Sequence, residues 1–150
     1  MTINPAKRHK ARRYAVQALY HWQMTQDSAQ DVIAYMLPDV NQNKTDMDYF
    51  EELVSNVVAK QEAIDAALKP HLDRELESVD PVERGILRLA TYELLDHQEI
   101  PYRVVINEAI EQCKTFGAEE GHKYINGVLD KTAEQLRAIE FKAHQSQSGN

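Results

Sequence analysis

Five cations stand within the first thirteen residues, Lys7, Arg8, Lys10, Arg12 and Arg13, and no acidic residue precedes Asp27. Such density suits a polyanion, because each phosphate neutralised by Lys or Arg releases condensed counterions. The whole chain carries −7, and outside this arm 12 basic residues face 24 acidic ones. A basic edge is thus mounted on a body that repels nucleic acid. A solvated helix face, or an arm that aids solubility, has the same composition, and residue types alone leave both readings open.

A second group lies at 119–124. Glu119 and His122 stand at i and i+3, the spacing used in carboxylate-bridged di-metal bundles. Those sites need a second such pair, and none is found, so no metal is expected. His122 then reads as a surface or nucleic-acid contact, or as an ordinary helix residue. Lys123 adds positive charge, and Tyr124 either offers a ring on which an unstacked base can lie or packs inward beside Ile125 and Val128. No glycine-rich loop followed by Lys and Ser or Thr is present, so no nucleotide cradle is expected. The single cysteine, Cys113, excludes an internal disulfide and sits on an apolar helical stripe, where it reads as core rather than nucleophile. No enzyme and no cofactor are expected.

The elements that position these residues read as all-α. Gly and Pro number five each, and apolar residues recur at three- and four-residue spacing. A first helix after Pro5 runs to about Gln26, with Ala11, Ala15, Ala18, Leu19 and Trp22 inward. Arg8 and Arg12, one turn apart, share a different face, with Arg13 beside them. Cations at a helix N-terminus oppose the macrodipole, a conflict that a bound phosphate would remove. Asp27 or Ser28 caps a short helix ending before Pro38, and 39–45 reads as a loop. Asp46 opens a helix carrying Phe50, Leu53, Val54 and Val57, and another near Gln61–Lys69 is broken by Pro70. Asp80-Pro81-Val82-Glu83 supplies a cap, a proline at the first helical position and a carboxylate at the third. The helix it opens runs to about Asp96. The next follows Pro101 and ends at Gly117, expected as a left-handed cap. The last spans about Glu119 to Arg137, with Gly121 and Gly127 inside it, where glycine permits close approach of a neighbour or ligand.

One domain over 5–139 is expected, with subdomains of roughly 5–70 and 75–139 and a disordered tail over 140–150. The polar C-terminal run reads as a natural end. The N-terminus has no signal-like apolar run, and no stretch is long and apolar enough to span a membrane. With one cysteine, a cytoplasmic protein is expected.

The segment Asp80-Pro81-Val82-Glu83-Arg84-Gly85-Ile86-Leu87-Arg88-Leu89-Ala90 is followed by Tyr92-Glu93-Leu94-Leu95, Ile100-Pro101-Tyr102 and Val104-Val105-Ile106-Asn107-Glu108-Ala109-Ile110-Glu111. It closes with Phe116-Gly117-Ala118-Glu119-Glu120 and His122-Lys123-Tyr124-Ile125-Asn126-Gly127-Val128-Leu129-Asp130. In this order, and with Arg12-Arg13-Tyr14-Ala15-Val16-Gln17-Ala18-Leu19-Tyr20 ahead of them, these motifs resemble the NusB family of transcription antitermination factors. The resemblance covers roughly residues 7–138, the stretch 27–75 matching mainly in pattern.

The resemblance implies a compact fold of about seven helices in two small packed bundles. It implies pairing with NusE, a protein of the small ribosomal subunit, and binding of single-stranded boxA RNA. It also implies entry into an RNA polymerase antitermination complex with other Nus factors, notably on ribosomal RNA operons. Matched by position, Lys7, Arg8, Lys10, Arg12 and Arg13 correspond to the family's arginine-rich RNA-binding start. Phe116–Tyr124 corresponds to its second RNA region, with Glu120, His122, Lys123 and Tyr124 as contacts. Glu83 lies where the family meets NusE, unless it only closes a capping box, and Tyr20 is a further candidate for that interface. The arm's Lys7-Arg8-His9-Lys10 stands where many relatives carry a denser arginine run, and Gly121 where a small hydroxyl residue is common. NusB-like domains also occur fused to RNA cytosine methyltransferases, but 150 residues without a glycine fingerprint leave no room for the cofactor domain.

Overall fold

The structure, a computed structural model, describes residues 3–118 and 120–148. Among them are eight α-helices: α1 (Pro5–Thr25), α2 (Ala29–Met36), α3 (Met47–Ala59), α4 (Gln61–Leu68), α5 (Pro81–Asp96), α6 (Tyr102–Phe116), α7 (Gly121–Leu136) and α8 (Ala138–Ser148). No strand occurs among the described residues. The all-α reading holds, with one helix more than expected.

Local chemistry accounts for most boundaries. Asn4 caps α1 by accepting from the Lys7 amide at 3.1 Å, with Pro5 at the first helical position. Gln26 ends α1 in the left-handed region at φ 63°, closing its N–H onto the Trp22 carbonyl. Ser28, not Asp27, caps α2. Asp46 caps α3, and Asp80 caps α5 by accepting from the Val82 and Glu83 amides at 3.1 and 3.2 Å. Two expectations fail here. Gly117 ends α6 at φ −92°, ψ −177°, an extended conformation and not a left-handed cap. What requires glycine there is space, since a Cβ would lie 2.9 Å from both the carbonyl oxygen and Sγ of Cys113. The expected disordered tail is instead α8 through Ser148. Glu119, the expected start of the last helix, lies outside the described residues.

The central element is α5, packed against α1, α3, α4, α6 and α7. Residues Gly85 to Leu94 are all buried, including Arg88, Thr91, Tyr92 and Glu93. One-face amphipathicity therefore undercounts its burial, because a helix surrounded on all sides hides polar residues as well. Those charges are paired. Arg88 forks onto the two oxygens of Asp65 at 2.9 and 3.0 Å and donates to Gln23. At the far end Arg137, also buried, donates to the carbonyls of Glu93, Leu94, His97 and Ile100. It thereby satisfies acceptors that the end of α5 would otherwise leave open. Glu140 of α8 binds Arg137 and accepts from the Tyr102 amide at the start of α6. The buried apolar residues form one continuous cluster from Ala11 to Ala133. No helix of the described residues is long and apolar enough to cross a membrane.

Candidate nucleic-acid and partner interface

The five cations of the arm divide by helical phase. Arg12 is 4% exposed, so it is not on the surface. Its Nε donates to both oxygens of Glu93 at 3.1 and 3.0 Å, and Nη2 to Oε2 at 2.8 Å. The Tyr49 hydroxyl donates to the same carboxylate. Burial works against the Arg12 charge, but Glu93, with Tyr49 and Glu108, more than offsets it and holds the guanidinium protonated. Burial, followed by the Glu93 charge, pushes the Tyr49 phenol far above its ordinary value. Arg12 is thus committed to the core, a correction to its place among the RNA-binding cations. Arg8 shares that side as expected, but the side faces inward. Its guanidinium lies 4.0 Å from the Tyr49 ring centroid, and its Nε is 3.7 Å from Asp46.

Lys7, Lys10 and Arg13, three residues apart, form the outward stripe. Lys7 is exposed, and Lys10 and Arg13 are half-buried. None of the three makes an ion pair among the described residues. Acidic residues are absent from the first turn, so Lys7, at the positive end of the α1 dipole, meets no carboxylate of its own helix there. Alongside it, α1 follows α6: His9 Nδ1 is 2.7 Å from Glu108, and the Arg13 guanidinium lies 5.9 Å from the Phe116 ring centroid. The stripe therefore leads to the α6–α7 junction.

At that junction the amides at the start of α7 are partly used. The Gly121 amide donates to the Ala118 carbonyl at 2.9 Å, and the Lys123 amide to Glu120 at 3.2 Å. Lys123 and Glu120 pair through their side chains at 2.8 Å, both well exposed. His122 is half-buried. Tyr124 is half-buried too, packed against the core, and the Arg74 guanidinium covers its ring at 4.5 Å from the centroid. The Tyr124 hydroxyl is buried near Asp73 without a hydrogen bond of normal geometry. Tyr124 is thus packed against the core, with an arginine over one face of its ring. Of the pair weighed as a metal site, Glu119 lies outside the described residues. Cys113 is fully buried, and its thiol is pushed up to about 11 by burial and by Glu83 and Asp80.

Glu83 does not close a capping box. It is 8% exposed, and its carboxylate lies against the start of α7. Burial and the Asp80 charge raise its carboxyl above the usual range, with Arg74 opposing. Next to it, Val82 lines a groove of about 380 Å³ with Tyr14, Val16, Tyr20, Tyr35 and Phe116. Tyr20 is 43% and Tyr35 67% exposed, and His21 stacks on Tyr35 at 4.7 Å. Sequence reading found Tyr20 and Glu83 separately but not the groove between α1, α2 and the start of α5.

Comparison with known proteins matches the described fold. The NusB family model covers residues 9–134. The transcription antitermination protein NusB of Xanthomonas axonopodis pv. citri is 51% identical over 141 residues, 94% of this chain and 89% of that protein. Its counterpart in Idiomarina loihiensis is 49% identical over 135 residues, 90% of this chain and 97% of that one. Among solved structures, T. maritima NusB superposes with a TM-score of 0.78 at 27% identity, covering 95% of this chain and 99% of that one. A crystal structure of antitermination factors NusB and NusE in complex with dsRNA gives 0.71 at 25% identity, over 90% and 96%. The chain belongs to the NusB family.

Proposed function

We propose that this chain is an RNA-binding transcription antitermination factor that works as a pair with NusE, in the cytoplasm and without catalysis. The observation that carries the reading is the unpaired stripe Lys7, Lys10 and Arg13, which meets the α6–α7 junction at Phe116. Relatives half identical over most of the chain carry the antitermination name, and a solved relative holds NusE and dsRNA together. The stripe supplies phosphate contacts, and Lys123 with Tyr124 supplies charge and an aromatic edge beyond it. The groove holding Tyr20, with Glu83 following its Val82, supplies a face for NusE. The RNA is a boxA element of nascent transcripts, and the pair joins RNA polymerase and other Nus factors on ribosomal RNA operons.

The test is fluorescence anisotropy of a labelled boxA-like RNA, single-stranded and as a duplex, titrated with this protein alone and with NusE. Tightening on adding NusE, with affinity that falls steeply with salt, is the expected result. No binding to either RNA with NusE present, in a folded preparation with active NusE, would leave a protein-binding helical adaptor in its place.

A further inference from the structure

Glu83 is nine-tenths buried, yet among the described residues its carboxylate has no hydrogen-bond partner. A Cβ built on Gly121 would lie 2.9 Å from Glu83 Oε1, 3.0 Å from its Cδ and 3.2 Å from Cys113 Sγ. The carboxylate thus fills a notch that exists only because residue 121 is glycine. Gly121 is the first residue of α7, a helix whose preceding residue, Glu120, makes no side-chain cap. Gly117, at the end of α6, closes on the same cysteine. Arg74, whose charge acts on Glu83, lies over the ring of Tyr124 one turn into α7. A buried anion therefore rests on the end of a helix that carries Lys123 and Tyr124, while the residue before it lines the aromatic groove.

We propose that Glu83 is a positioning residue that couples partner docking to RNA contact: a hydrogen-bond donor of the partner captures its carboxylate, withdraws it from the notch at Gly121, and lets the start of α7 rearrange onto RNA. This rests on the proposed pairing with NusE. The notch holds this carboxylate partly out of water, so an N–H or cationic donor that reaches it gains a charge-assisted bond. The notch has two states, carboxylate in or out, and both ligands favour the second. The coupling is reciprocal, so RNA must tighten NusE by the factor with which NusE tightens RNA.

The test measures labelled boxA RNA affinity with and without saturating NusE for wild type, Glu83→Gln and Gly121→Ala, with thermal unfolding to verify each fold. In wild type NusE tightens RNA at least about fivefold, whereas in Glu83→Gln, with NusE raised until the variant is saturated, the factor falls below about twofold. Full tightening at saturation would make Glu83 a mere contact and overturn the coupling. Gly121→Ala places a methyl in the notch and expels the carboxylate, so RNA alone binds more tightly than to wild type and NusE adds little. Wild-type affinity and coupling in a folded Gly121→Ala would also overturn it, and if that variant does not fold, Glu83→Gln decides. Amide exchange over Gly121–Tyr124 supplies a readout that needs no RNA. NusE alters it in wild type and not in saturated Glu83→Gln; no response in wild type sinks the coupling. Failure of RNA binding with the exchange response intact would remove the RNA reading and leave the link between groove and α7 standing.

Discussion

The arm at the start of α1 stands on buried charge, whereas the α6–α7 junction stands on missing side chains. Beneath the arm, Arg12, Glu93 and Tyr49 join α1, α5 and α3 through short, directed bonds, and Arg8 covers Tyr49 from the N-terminal side. At the junction, Gly117 and Gly121 let backbone approach Cys113 and Glu83, and α7 starts without a side-chain cap. A contact surface built the first way is preorganised and holds its cations in register. One built the second way can shift at small energetic cost, which is what a surface responding to a partner requires.

The largest effect should come from cutting beneath the arm. Arg12→Ala leaves Glu93 buried without its cation and with only the Tyr49 hydroxyl to bond it, and removing one partner of such an ion pair costs about 3–5 kcal/mol. Urea unfolding measures it; a loss below about 1 kcal/mol would mean that the arm does not depend on this pair. The outward stripe should behave in the opposite way. Replacing Lys7, Lys10 and Arg13 together by Ala should leave stability within about 0.5 kcal/mol. RNA affinity should fall, and the slope of log affinity against log salt should drop by about 2, near 0.7 for each single-strand phosphate that is no longer neutralised. An unchanged slope in the folded triple variant would remove the arm from RNA binding.

That split was half legible in the sequence. Five cations mark a polyanion edge from residue types alone, and Asp80-Pro81 or Asp46 mark helix starts because capping is local chemistry. The role of Arg12 was present in the spacing, since 12, 15, 16 and 19 share one helical face and Ala15, Val16 and Leu19 are buried. Its partner Glu93 lies 81 residues away, and no local rule joins them. The same distance problem hid Arg137, whose four carbonyl acceptors lie at the end of α5 and in the turn that follows it, and hid α8, whose low apolar content read as tail although Glu140 and Phe141 anchor it. Glu83 matched a capping pattern in sequence, but packing against Gly121 turned it elsewhere.

At the junction the sharper test compares two glycines. Gly117→Ala would put a methyl 2.9 Å from the Cys113 carbonyl oxygen, a backbone atom that cannot swing aside. Overpacking of this kind costs about 1–3 kcal/mol. Gly127→Ala meets nothing within 4 Å and lies inside α7, so it should stabilise by up to about 1 kcal/mol through helix propensity and a less flexible unfolded chain. Thermal unfolding of the two variants separates close approach from mere tolerance of glycine. Equal effects at 117 and 127 would break the claim that the junction is built on space.

The smallest expected effect lies at the edge of the arm's support. His97 packs edge-on against Tyr49 at 5.4 Å between ring centroids and bonds to Glu99 and to Glu52 of α3. Burial works against the imidazolium, but Glu99 and Glu52 outweigh it and hold His97 above its ordinary value. A folded-state value raised above the unfolded one means that the stabilisation is complete below the unfolded value, near 6.5, and is lost as pH rises through the folded one. Because Glu99 is exposed, the gain should stay under about 1 kcal/mol. Wild type should therefore lose its advantage over His97→Gln as pH rises from about 6 through the neutral range, measured by urea midpoints at constant salt. A difference that grows with pH would place the neutral imidazole, not its cation, in the contact with Tyr49 and Glu52. The support beneath the arm would then draw on packing there rather than on charge.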